Sequence, residues 1–261
     1  MIITWNNFEW FAISAIVFWL SGALFALFSK ERSRWAILLT LLGITVFAVF
    51  IAGFWLNLHR PPLRTMGETR LWYSFFMGIS GLLTYIRWKY PWILCFSTVV
   101  GAVFAIINIL KPEIHDQSLI PALQSPWFIP RVTIYMISYS VLGCAFIMSC
   151  MGLFKHNSNY LEAIDKQVYT GVAFLTVGML TGAIWAKAAW GHYWSWDPKE
   201  TWAAVTWTGY LLYIHLRLFR KASPKALYWT LGASFLSLQM CWYGVNYLPA
   251  AQQSIHLYSR S

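Results

Sequence analysis

The chain has 261 residues, of which 59% are hydrophobic and 11% charged, and its net charge is +10. Soluble globular chains carry roughly a quarter charged residues, so this composition excludes a soluble globular protein and predicts an integral membrane protein. The positive balance then reads as loop cations at a bilayer surface, and no nucleic-acid partner is expected.

The start, MIITWNNFEW, has Glu9 and no Lys or Arg before the first apolar run. A secretory leader begins with basic residues, so the first span is expected to stay in the mature protein. A membrane-crossing helix needs about 20 apolar residues. Stretches approaching that length lie at 10–28, 35–57, 72–86, 91–110, 131–154, 169–187, 200–219 and 226–247, the third being the shortest. The expected fold is therefore an all-α polytopic membrane protein with about eight transmembrane helices, forming one integral membrane domain over 1–261.

Lys and Arg placement predicts the orientation. One set of loops holds eleven cations: Lys30, Arg32, Arg34, Arg87, Lys89, Lys155, Lys166, Arg217, Arg220, Lys221 and Lys225. The other set, with both termini, holds eight: Arg60, Arg64, Arg70, Lys111, Arg131, Lys187, Lys199 and Arg260. The bias predicts that both termini and segments 58–71, 111–130 and 188–199 are extracytoplasmic. Segment 111–130, the block at 187–200 and the tail 248–261 would then share one rim. Arg60, Arg64 and Arg70 run against the bias, and suit lipid phosphate, an acidic partner surface or a carboxylate-bearing ligand.

Cys95, Cys144, Cys150 and Cys241 all sit in apolar runs and no CxxC occurs. That pattern argues against dithiol chemistry, a zinc site or covalently attached haem on this chain, and fits cysteine as a small apolar filler.

The most distinctive segment is Trp190-Gly191-His192-Tyr193-Trp194-Ser195-Trp196-Asp197. Indoles favour the headgroup level of a bilayer, and their flat faces also suit a large planar ligand. A belt does not explain why they crowd one loop beside Gly191, whose missing side chain permits close approach. Asp197, Pro198 and Glu200 form a capping-box pattern that starts the seventh span.

WGHYWSWDPKETW resembles the WGxxWxWD signature of the haem-handling "WWD" membrane proteins, with Trp190, Gly191, Trp194, Trp196 and Asp197 matching position by position. PALQSPWFIPRV at 121–132 and GVNYLPAAQQSIHLY at 244–258 are similar to the CcsA (ResC) branch of system II cytochrome c biogenesis. The resemblance runs from about Arg60 to the C-terminus and is densest in the WWD loop, 187–200. It implies a protein of the bacterial cytoplasmic (inner) membrane that binds haem b non-covalently and transiently. Haem would be presented outside to the CxxCH thiols of apocytochrome c. A CcsB (ResB)-like subunit would complete the cytochrome c synthase.

The resemblance also implies roles for histidines. His256 matches an external haem-iron ligand, and neutral imidazole suits that task. His215 matches an inner ligand; it follows Asp197 by eighteen residues, about 27 Å along a helix. An ionisable group in a span is a functional candidate by default, though snorkelling beside Arg217 also accounts for it. Position 131 departs from the family pattern, which has histidine there. Arg131 has no lone pair for iron, but its guanidinium suits a haem propionate. Five-coordinate iron, His59, His115 or a partner's residue would then complete the site. His192 reads as local packing or an interface residue, His115 as a solvated loop residue. Two other functions fit the same topology: a membrane transporter or scaffold without haem chemistry, and a regulator of haem synthesis.

Overall fold

The computed structural model describes residues 3–28, 33–115, 127–155, 159–219 and 222–247. Eight α-helices follow one another: α1 (Trp5–Phe28), α2 (Arg34–Leu58), α3 (Met66–Trp88), α4 (Pro91–Leu110), α5 (Phe128–Lys155), α6 (Leu161–Trp190), α7 (Pro198–Leu218) and α8 (Pro224–Trp242). Single 3-10 turns occupy Pro112–His115 and Gly244–Tyr247. Among the described residues α1, α2, α4, α5 and α6 are long and apolar enough to cross a membrane, and the chain is an all-α, multi-pass membrane protein. Large apolar side chains such as Leu24, Phe28, Leu56, Leu180 and Leu236 are exposed along the helices, as lipid-facing positions require.

The described residues divide into two compact units, one up to residue 115 and one from residue 127 onward. In the first, α1 packs on α2 and α4, and α3 packs on α2 and α4. Its core is aromatic, with Phe8, Trp19, Phe47 and Phe50 buried. Small polar groups tie the helices: Ser74 Oγ donates to Gly101 O at 2.6 Å and Asn108 Nδ2 to Gly67 O at 3.2 Å. Such bonds join helices where burial against lipid gives no hydrophobic advantage.

α3 is longer than its apolar stretch predicts. Thr65 and Glu68 form a capping box that starts it six residues earlier than expected, through the polar turn Gly67-Glu68-Thr69-Arg70. Glu68, 1% exposed, accepts Arg60 Nη1 and Nη2 at 3.0 and 2.8 Å and the backbone amides of Arg64 and Thr65 at 2.6 and 3.2 Å. The Arg60 cation is therefore occupied within the protein, which answers why it stands in that loop.

In the second unit α5 packs on α6 and α8, and α7 on α6 and α8. α6 begins eight residues before its apolar stretch. Its first turns are amphipathic, with Leu161, Ile164 and Val168 buried and an exposed Lys166–Glu162 pair at 3.1 Å. Asp165 there accepts Tyr213 Oη at 2.7 Å and Arg217 Nε at 2.9 Å, binding the start of α6 to the end of α7. Ser138 Oγ donates to Gly171 O at 2.8 Å, joining α5 to α6, and Trp207 Nε1 to Thr176 Oγ1 at 2.9 Å, joining the middle of α6 and α7. All four cysteines are free thiols; Cys144 is buried, whereas Cys95, Cys150 and Cys241 are partly exposed.

Removing Glu68 leaves a half-buried guanidinium and two amides without their acceptor. Glu68→Ala is expected to destabilise the first unit by about 3 kcal/mol, and paired removal by Arg60→Met with Glu68→Leu by less. Unfolding temperatures of both variants in detergent check the order.

Candidate functional site

The Trp-rich block is the connection between α6 and α7. α6 stops at Gly191, whose φ of 84° is left-handed and whose amide donates to Lys187 O at 3.0 Å. Lys187 Nζ donates back to Gly191 O at 2.6 Å and lies 5.5 Å from the Tyr193 ring centre. A cation in the last helical turn also suits the negative end of the helix. Among the described residues nothing lies within 4 Å of where a Gly191 side chain would begin, so the backbone there is open to close approach.

α7 opens on the capping box expected from the sequence. Asp197 accepts Lys199 N at 2.9 Å, and Glu200 reaches back to the Asp197 amide at 3.3 Å. Glu200 does more than cap. The same oxygen, Oε2, accepts the Ser195 amide at 2.8 Å and Ser195 Oγ at 3.2 Å. One buried carboxylate thus holds three donors of the loop. The Trp196 carbonyl accepts Thr201 Oγ1 at 3.1 Å.

Between these anchors Trp196 adopts φ 59°, a left-handed conformation that costs about 1–3 kcal/mol for a residue with a side chain. Its ring is 70% exposed, and Tyr193 is 58% exposed. Trp194 packs edge-on against Trp196 at 5.8 Å, and Trp194 Nε1 is buried with no hydrogen-bond partner among the described residues. His192 is exposed.

Trp190 meets Trp185, one and a half turns earlier on α6, edge-on at 4.6 Å. Trp185 is 1% exposed, and the Arg131 guanidinium of α5 lies 4.7 Å from its ring centre. Arg131 is also 5.8 Å from the Tyr135 ring. Gly182 lets it settle there, because a side chain at 182 would begin 3.1 Å from Arg131 Nε. The sequence reading missed Trp185 and Tyr135. A signal was present in the four-residue spacing of Arg131, Tyr135 and Tyr139, which puts all three on one face of α5.

The structure therefore joins Trp190, Gly191, Trp194, Trp196, Asp197 and Arg131 at one end of the second unit. His215 stands near the opposite end of α7, exposed and 4.4 Å from the Phe219 ring. It belongs to no site shared with the block. His256, the remaining tail and segment 116–126 lie outside the described residues. In the first unit His59 caps α2, exposed and at φ 51°. His115, expected to be solvated, instead stacks on Trp5 at 3.8 Å and 5°. The aromatic partner, more than a hundred residues away in sequence, gives the imidazole an apolar face.

A family model described as "Cytochrome C assembly protein" matches residues 63–251. The chain is 29% identical over 276 residues to a cytochrome c biogenesis protein CcsA of Prochlorococcus marinus (strain CCMP1986), covering 89% of this chain and 86% of that one. A protein of the same description from Cuscuta exaltata is 30% identical over 247 residues, covering 78% and 80%. Another, from Chlamydomonas reinhardtii, is 37% identical over 168 residues, covering 59% and 47%.

Glu200→Ala is expected to release the Ser195 and Asp197 amides from their shared acceptor. A hydrogen bond to a charged group contributes about 1.5–3 kcal/mol, so amide exchange over 192–197 should speed up by about tenfold or more while the middle of α7 keeps its protection. Hydrogen–deuterium exchange with peptide resolution measures this.

Proposed function

The chain belongs to the cytochrome c assembly protein family and takes part in cytochrome c biogenesis at a membrane, and on that premise we propose that it holds haem against the Trp190–Asp197 block for attachment to an apocytochrome c. The block lies on the extracytoplasmic side of a bacterial cytoplasmic membrane in this reading. A CcsB-like membrane subunit is the expected partner.

The residues present fit such a group. A porphyrin needs a broad apolar face and room for close approach. Exposed Trp196 and Tyr193 supply the face, and the open backbone at Gly191 supplies the room. The unpartnered indole N–H of Trp194 is a donor at the same place. The observation that carries the reading is Trp196, an exposed indole on a left-handed backbone, because backbone strain of this kind gathers at ligand-binding positions.

Haem b, when bound, supplies vinyl groups to which the CxxCH thiols of a client protein add. The chain's own contribution is orientation. Trp190, Trp194 and Trp196 would pack on the macrocycle, and Glu200 would keep their loop from collapsing. His256 would ligate the iron on this side. His215, about 27 Å away along α7, would serve a separate inner site.

The test is the absorption spectrum of the full-length protein purified from haem-replete cells. A Soret band is expected, lost in His256→Ala. An indole face contributes about 0.5–1.5 kcal/mol beyond its buried area, so Trp196→Ala should weaken haem retention by up to about tenfold. A colourless wild-type protein contradicts the reading, as does a band indifferent to both substitutions.

A further inference from the structure

We propose that Arg131 is the carboxylate-binding residue of the Trp-rich platform, gripping an anionic arm of the planar ligand rather than its metal. This inference rests on the porphyrin reading above and adds the ligand's acidic side chains to what the site recognises.

Arg131 stands in the first turn of α5, which contains no acidic residue. A cation at the positive end of a helix is unfavourable, so helix stability does not explain its placement. Among the described residues no carboxylate forms an ion pair with it; the pairs found are Arg60–Glu68, Lys166–Glu162 and Arg217–Asp165. Its neighbours are Trp185, whose ring centre lies 4.7 Å away, and Tyr135, whose ring centre lies at 5.8 Å and whose hydroxyl shares a hydrogen bond with it. A guanidinium set over a ring keeps its planar fork of N–H donors for bidentate carboxylate binding.

The position of Arg131 relates this charge to the platform. Trp185 touches both Arg131 and Trp190. An acidic arm on Arg131 would leave the body of the ligand over the loop indoles. Gly182 maintains the arrangement by leaving space for the guanidinium.

Metal-free protoporphyrin IX and its dimethyl ester separate this role from iron ligation, because neither carries iron and only the first carries free carboxylates. Full-length protein in detergent is titrated with each, following porphyrin fluorescence against a detergent-only control. The wild type is expected to bind the diacid about tenfold more tightly than the diester, the size of one hydrogen bond to a charged group. Arg131→Gln should abolish that preference while leaving diester binding unchanged, which also reports that the variant is folded. Arg131→Lys should keep part of the preference. Wild-type protein that binds both porphyrins equally overturns the proposal even if Arg131→Gln does not fold. So does an Arg131→Gln variant that discriminates like the wild type; in both cases the porphyrin platform itself stands. Failure of the wild type to bind either porphyrin overturns the platform reading together with this one.

Discussion

The Trp-rich loop depends on one buried carboxylate. Glu200 Oε2 accepts the Ser195 amide, the Ser195 hydroxyl and the Asp197 amide, and it does so from the first turn of the helix that follows. The loop backbone is thereby anchored to a rigid element rather than to solvent. With that anchor in place Trp196 is held in a left-handed conformation with its ring outward. Without it the indoles would be free to collapse onto the apolar helix ends, which is the cheaper arrangement for exposed aromatic surface.

The same device appears in the first unit. Glu68 caps α3 and gathers Arg60 together with two loop amides. In both units an acidic residue at the third position of a helix fixes the loop before it. A buried carboxylate is tolerated there because several donors converge on it and the helix end is positive. At the opposite end of the second unit Asp165 fastens α6 to α7 through Tyr213 and Arg217. The helix that carries the loop is thus held at both ends.

The spans and the capping box at Asp197 were legible in the sequence because both depend on local chemistry: apolar length, and a donor–acceptor pattern three residues apart. The early starts of α3 and α6 were not. Their first turns are polar or amphipathic, and they are stabilised by Glu68 and by the burial of Leu161 and Ile164, which an apolar window passes over. His115 shows the limit most clearly. Its local surroundings, KPEIHDQ, suggest solvent, and only the tertiary fold brings Trp5 beneath it. The role of Arg131 is intermediate: its departure from the family pattern was visible, whereas its seat on Trp185 required the packing of α5 against α6.

The central claim is that the ligand rests on residues 190–197. A photoactivatable porphyrin, crosslinked to the full-length protein in membranes and mapped by mass spectrometry, places the ligand directly. The account expects adducts on the peptide containing Trp190, Trp194 and Trp196, and their loss when excess haem competes. Adducts confined to other helices, with this peptide unmodified, would contradict it.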